Sequence, residues 1–365
     1  MQRNAKFDNV KLFLMCCVVF GHIANRFADD SYTVACIQFW VYLFHMPAFV
    51  YIAGLFSKRT VNENRWRKIV PYVFLYLGML MLSFTVSALK NGVESATVDF
   101  FHENGIAWFA LAMFWWGAVT ILVKRVKPTY VIVMSLFLSV ISGYSADVNS
   151  FLVMQRTIIF FPFFYLGYIT DIDMLVKKLD HIALKIASVV LLASTAVLTY
   201  FYYDKIYYWR FLFRGIRPYN NIKEGLPYGW GWSWRLAFYL ISMVLTLAVI
   251  CIMPNIKSFL SSLGKKTLPI YVFHGTFLAL TLSTIKPLRN WVLADYTCLK
   301  SLLFMVITVL VTSLPIFDIP LRKLMAVPSR VCASLSKDDK ALPQGDLHAE
   351  EKEAPAESAD EAKQQ

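Results

Sequence analysis

Two histidines stand in strongly apolar surroundings early in the chain: His22 in Val18-Val19-Phe20-Gly21-His22, and His45 in Leu43-Phe44-His45-Met46-Pro47. An imidazole has an unperturbed pKa of about 6.5, so it can take and return a proton at neutral pH. Lys11 precedes His22 by eleven residues, about three helical turns, which sets both near one face. Asp8 lies one turn before Lys11 and is placed to pair with it. Arg156, in Gln155-Arg156-Thr157-Ile158, and His274, in Tyr271-Val272-Phe273-His274-Gly275, are further ionisable groups at the ends of apolar runs or within them. His102, Glu103 and Trp108 flank the start of another, where interfacial residues are the plainer reading.

These residue types suit proton transfer and the binding of an anion or a carbonyl group. Ionisable side chains inside apolar helices are costly and mark functional positions unless they are held by neighbours. A single histidine of this kind is equally well read as a hydrogen-bonded packing residue. Two at matched depth favour chemistry: His22 lies roughly 20 Å and His45 roughly 16 Å from the same end of their helices at 1.5 Å per residue.

The elements that must position them are read from composition. Of 365 residues, 58% are hydrophobic and only 16% charged, against about 25% charged in ordinary soluble domains. Apolar runs fall at 9–28, 34–56, 69–89, 106–123, 129–145, 152–170, 182–203, 234–253, 268–285 and 299–320. A bilayer crossing takes roughly 20 apolar residues. The expected fold is therefore all-α, a polytopic membrane protein with about ten transmembrane helices, of which 129–145 is the shortest. Residues 1–330 form the membrane domain, and 331–365, rich in Glu, Ala, Pro, Ser and Gln, are expected to be a disordered acidic tail. No cleavage signature follows the first run, so it is read as a retained anchor.

The net charge of +12 does not point to nucleic acid, because it is distributed over short connections. Arg3, Lys6 and Lys11 precede the first run; Lys58, Arg59, Arg65, Arg67 and Lys68 follow the second; Lys124, Arg125 and Lys127 the fourth; Lys177 and Lys178 the sixth. Lys257, Lys265 and Lys266 follow the eighth, and Arg322, Lys323 and Arg330 the tenth. Asp29-Asp30 and Asp147 occupy intervening connections that are poor in Lys and Arg. Alternation of this kind places both termini in the cytoplasm of a multi-pass protein of the cell membrane. The long connection 204–233 is expected outside. It is basic (Lys205, Arg210, Arg214, Arg217, Lys223) and aromatic (Tyr207-Tyr208-Trp209 and Tyr228-Gly229-Trp230-Gly231-Trp232). It reads either as an interfacial aromatic belt or as a platform for sugar rings beside cations that hold an anionic lipid or a glycan phosphate.

Six scattered cysteines show no CxxC spacing, and neither a disulfide framework nor a metal site is expected. P-loop, GxGxxG, HExxH and GxSxG motifs are missing. A nucleotide-bearing donor would have to be held by charge alone, for which the stretch 58–68 is suited.

These residues resemble a known family. Phe7-Asp8-Asn9-Val10-Lys11 leading to Gly21-His22, then Phe44-His45-Met46-Pro47 with Ala53-Gly54, Trp108-Phe109-Ala110-Leu111, Arg156-Thr157 with Phe161-Pro162-Phe163-Phe164-Tyr165-Leu166-Gly167-Tyr168, and the run from Leu263-Gly264-Lys265-Lys266 to His274-Gly275 are similar to the acyltransferase-3 membrane O-acyltransferases, especially the fucose 4-O-acetylase-like branch. The resemblance implies ten spans that take an acetyl group from cytoplasmic acetyl-CoA, a co-substrate rather than a bound cofactor, and place it on a carbohydrate hydroxyl. It maps the family's basic residue and its first-span histidine onto Lys11 and His22, where the wider family has arginine at the first position. The family's Arg-x-x-Arg pair after the second span is replaced by Lys58-Arg59 and Arg65-x-Arg67. In chemical terms His22 would be the base and His45 its partner or an oxyanion donor. Arg156 and His274 would line the cavity; Lys11, Lys58, Arg59, Arg65 and Arg67 would hold the CoA phosphates. The implied partners are acetyl-CoA, a surface polysaccharide or lipid-linked glycan, and membrane lipids. A transporter or flippase for a polyprenyl-linked sugar or another solute is the competing class; against it stand the lack of an internal repeat and of paired broken helices.

A reporter fused at Asn220 should read as external. A cytoplasmic reading would reverse the side assignment.

Overall fold

The computed structural model describes residues 5–27, 31–102, 105–145, 151–222, 227–285, 287, 290–291 and 297–341. Arg3, Asp29, Asp30, Glu103, Asp147, Lys223 and the tail from 342 lie outside the described residues. All regular elements among the described residues are helices. Each apolar run of the sequence coincides with a helix or a pair of helices. In chain order these are α1 (Ala5–Phe27), α2 (Tyr32–Tyr42) with α3 (His45–Leu55), the short α4 (Lys58–Asn62) and α5 (Trp66–Ile69), and α6 (Pro71–Asn91). There follow α7 (Trp108–Val123), α8 (Pro128–Ser142), α9 (Met154–Ile169) with α10 (Ile172–Leu179), α11 (Ile182–Ile206) and α12 (Arg210–Arg214). The last are α13 (Gly231–Ile252), α14 (Phe259–Leu263), α15 (Thr267–Thr284), α16 (Cys298–Thr312) and α17 (Pro315–Ala341).

Among the described residues, five segments are long and apolar enough to cross a bilayer, and seven are if each of two bent pairs forms one span. The bends fall between α9 and α10, at 91°, and between α16 and α17, at 58°. α7 and α8 have only 16 and 15 residues. At 1.5 Å per residue they reach roughly 24 Å, short of a hydrocarbon core of about 30 Å. The chain is thus an all-helical membrane protein. α17 runs to Ala341, past the boundary at 330 where disorder was expected. Ala333, Leu335, Lys337 and Lys340 are good helix formers, and they extend it.

The α2–α3 segment shows how the bundle tolerates a break. Pro47 has no N–H, so the Leu43 carbonyl loses its usual helical donor. The Ser242 hydroxyl of α13 donates to that carbonyl at 2.6 Å, deep in the bundle. An unbonded carbonyl in an apolar interior costs several kcal/mol, so this single hydroxyl stabilises the break. His45 therefore begins α3 at a fixed position, with its ring stacked on Tyr42, centroids 5.2 Å apart.

Small residues set the close crossings. A methyl on Gly54 of α3 would overlap the Phe164 carbonyl of α9, and one on Gly167 of α9 would overlap the Tyr51 carbonyl of α3. The two helices pack backbone to backbone, the arrangement small residues permit between helices in lipid. At the basic end, a methyl on Gly264 would overlap the Asp8 carbonyl. Lys6 Nζ donates to the carbonyls of Cys251 and Met253, and Asn9 Nδ2 donates to those of Pro254 and Ile256. The start of α1 is thereby locked to the turn after α13 and to the segment 263–266.

Gly54→Val and Gly167→Val should each lower stability by roughly 1–3 kcal/mol or more, since overpacking at a rigid contact cannot relax. A thermal unfolding series in detergent checks this; an unchanged midpoint would show that the crossing is loose.

Candidate active site

α1 presents Lys11 and His22 on one face, and this face lines adjoining cavities. At the basic end is an open polar basin of about 1360 Å³, lined by Asp8, Lys11, Asn255, Lys257, Ser258, Ser261, Ser262 and Lys265 among others. Lys11 and Phe56 are shared between this basin and an inner cavity of about 420 Å³. The inner cavity is mostly apolar, lined by Met15, Phe49, Ala53, Phe109, Leu268 and Tyr271 and also by Lys68 and Thr60. A third cavity of about 260 Å³ lies toward the other end and is lined by Asn25, Tyr42, His45, Arg156 and Arg214. Val18, His22, Met46, Ile106 and Trp108 line both the inner and the far cavity. His22 is the ionisable residue in that shared wall.

The positions of the sequence-derived candidates differ. Lys11 Nζ sits 2.7 Å from Asp8 Oδ1 and 5.6 Å from the Phe56 ring centre, so the anticipated pair stands at the junction of basin and inner cavity. Arg156 packs its guanidinium over the Trp108 ring at 4.9 Å, and both line the far cavity. His45 also lines the far cavity. His274 lines neither the inner nor the far cavity. It is fully buried behind His22, ring centroids 5.0 Å apart. Its Nδ1 lies 3.0 and 2.8 Å from the carbonyls of Ile270 and Tyr271 on its own helix, and these bonds turn the ring into the α1–α15 interface.

Lys58, Arg59, Arg65 and Arg67 line neither the basin nor the inner cavity. Arg59 and Arg65 both bind Glu63, at 3.0 and 2.6 Å. Lys124 Nζ holds the same segment through the carbonyls of Val61 and Asn62 and through Asn64 Oδ1. Lys68 alone of that cluster reaches the inner cavity. The cations that face the basin are instead Lys11, Lys257 and Lys265. Their sequence signal was a basic connection like several others. The docking of Gly264 against Asp8, with the bonds of Lys6 and Asn9 to residues 251–256, brings it beside α1.

Tautomers follow from the hydrogen bonds. A carbonyl only accepts, so Nδ1 of His45, 2.8 Å from the Val41 carbonyl, carries the proton, and so does Nδ1 of His274. Each neutral ring then has a lone pair at Nε2. A neutral His45 so arranged can accept a proton but cannot donate to an oxyanion through Nε2, which favours a partner-of-the-base role over that of oxyanion donor. Nε2 of His274 is buried and has no hydrogen-bond partner among the described residues. Tyr271 O–H donates to the Ile106 carbonyl at 2.6 Å, fixing the shared wall to α15. Beyond them, Gln38 Nε2 lies 3.0 Å from Gly21 O, 2.8 Å from Asn25 Oδ1 and 3.2 Å from Tyr42 Oη, three acceptors among which its two protons are shared, and this orients Asn25 and Tyr42 at the far cavity.

A helical bundle with an imidazole between a basic-mouthed cavity and a polar cavity at the opposite end has the layout of a membrane group-transfer enzyme. A family model described as an acyltransferase domain, that of the acyltransferase-3 family, matches residues 4–317. The chain belongs to this family and is a membrane acyltransferase. No curated protein and no solved structure matches it significantly.

Proposed function

We propose that the chain moves an acetyl group from acetyl-CoA, bound at the basic end, to a hydroxyl of a carbohydrate, a cell-surface polysaccharide or its lipid-linked precursor, admitted from the far end. The observation that supports this most is the place of His22 in the wall common to both cavities. On this reading the ten helical runs all serve as spans, shorter ones included, in the plasma membrane with both termini cytoplasmic. The basin with Lys11, Lys257 and Lys265 takes the nucleotide phosphates of CoA, which lysines bind as point charges. The apolar inner cavity takes the pantetheine arm and brings the thioester to His22.

An alcohol is a weak nucleophile at neutral pH and needs a base within reach of its proton. His22 has no side-chain hydrogen bond among the described residues. As the sugar oxygen attacks the thioester carbonyl, His22 takes the hydroxyl proton and becomes imidazolium. The tetrahedral oxyanion collapses, the carbon–sulfur bond breaks, and the departing thiolate takes the proton back, giving the ester and free CoA. His274 acts from behind: its buried Nε2 lone pair is suited to accept the other His22 N–H and to stabilise the transient imidazolium, as an orienting group does for a catalytic histidine. His45 borders the acceptor cavity and assists the same proton.

Membranes containing the protein should transfer label from acetyl-CoA to glycan, and His22→Ala should reduce the rate by roughly 10²–10⁴-fold with the protein still in the membrane. Undiminished transfer would remove His22 from the mechanism; solute movement with no transfer would favour a transporter. Mass spectrometry of surface glycans, with and without the chain, identifies the added acyl group. Separately, Lys257→Gln and Lys265→Gln should each raise KM for acetyl-CoA by about tenfold, the loss of one charge-assisted contact, and leave kcat nearly constant. An unaltered KM would move the phosphate site elsewhere.

A further inference from the structure

The far cavity carries a cation that the transfer chemistry does not require. Arg214 is the last residue of α12 and lines this cavity with His22, His45 and Tyr42. Its guanidinium lies 5.7 Å from the Tyr42 ring centre. Among the described residues no aspartate or glutamate lines the cavity. A guanidinium lining a cavity in an apolar bundle, half-buried and with no carboxylate beside it among the described residues, is suited to an anion.

The structure spends a second, fully buried arginine on holding this one in place. Arg235 of α13 is 0% exposed. Its Nη1 donates to the Leu212 carbonyl at 3.0 Å, two residues before Arg214, and its Nε approaches Tyr219 Oη at 3.4 Å. Tyr219 in turn fills the slot left by Gly143 and Gly231, where a methyl on either would overlap its ring, and its backbone N–H donates to the Gly143 carbonyl at 2.7 Å. Gly215, at φ 61°, ends α12 directly after Arg214 and turns the chain away. The outer segment is thus clipped to the bundle on both sides of Arg214, by groups that are themselves buried. A side chain that merely reached for solvent would need no such clamp.

We propose that the acceptor bears an acidic group, a carboxylate or a phosphate, that it is recognised by Arg214, and that Arg235 is the positioning residue that fixes Arg214 at the far cavity. This rests on the acyl-transfer reading and adds the charge class of its acceptor. Arg214 pairs with the acid in a bidentate contact and presents the neighbouring hydroxyl to His22.

The test uses the full chain purified in detergent, labelled acetyl-CoA, and methyl glycosides of glucose, galactose and mannose, each as the neutral sugar, the uronic acid and the 6-phosphate. Acidic forms should be acetylated with kcat/KM at least about tenfold above the matched neutral sugars, chiefly through KM. Preference for the uronic acid names a carboxylated glycan; preference for the phosphate names a sugar phosphate or a lipid phosphate headgroup, and either supports the proposal. Arg214→Gln should bring the ratio within about threefold, and Arg214→Lys should keep part of it. Arg235→Lys should raise KM for the acidic acceptor and leave KM for acetyl-CoA alone. Neutral sugars used as well as acidic ones, or a preference that survives Arg214→Gln, overturns the recognition role while acetyl transfer stands. A fall in kcat alone in Arg235→Lys overturns its positioning role. Neither ester nor free CoA from any acceptor removes the transfer reading, and this proposal with it.

Discussion

Pro47 leaves the Leu43 carbonyl without its helical donor in the interior of an apolar bundle, and the Ser242 hydroxyl supplies the missing bond. The site depends on this kind of local repair. Where lipid replaces water, a polar group is costly unless another group of the protein bonds to it. The break lets α3 start at His45, and the Nδ1 contact with Val41 keeps the ring in one tautomer. The same rule holds His274 through two backbone carbonyls and holds Arg235 through Leu212 and Tyr219. Buried polar groups here are oriented by the backbone rather than by carboxylates.

Close helix crossings convert those local bonds into a shared geometry. Gly54 and Gly167 let α3 and α9 meet backbone to backbone, so His45 and Arg156 come to one cavity from two different helices. Gly264 does the same for the basic end, setting Lys265 beside Asp8 and Lys11. Between these two ends the wall of Val18, His22, Met46, Ile106 and Trp108 separates an apolar passage from a polar one. On the proposed function, the first would take the acyl donor and the second the hydroxylated acceptor.

Much of this was legible in the sequence because it is local. Every apolar run became a helix, and Lys11, Asp8 and His22 share a face through helical spacing alone. Arg156 and Trp108 stood out as polar or amphipathic groups at run ends. What the sequence hid is what depends on contacts between distant segments. Lys58, Arg59, Arg65 and Arg67 formed the densest basic cluster, yet Glu63 engages Arg59 and Arg65, and the basin is faced by Lys257 and Lys265, far along the chain from Lys11. Arg214 was one cation among five in a long connection, and only the clamp by Arg235 singles it out. His274 was expected in the cavity wall and instead stands behind His22, because its own helix carbonyls fix its ring.

In the proposed mechanism one imidazole connects a donor on the basic face with an acceptor on the opposite face. Proteoliposomes of defined orientation test it most directly, with labelled acetyl-CoA confined to the side of the termini and a membrane-impermeant glycan to the other. Ester should appear on the far-side glycan in wild-type vesicles and not in those carrying His22→Ala. Ester formed only when donor and glycan share one side would contradict the account.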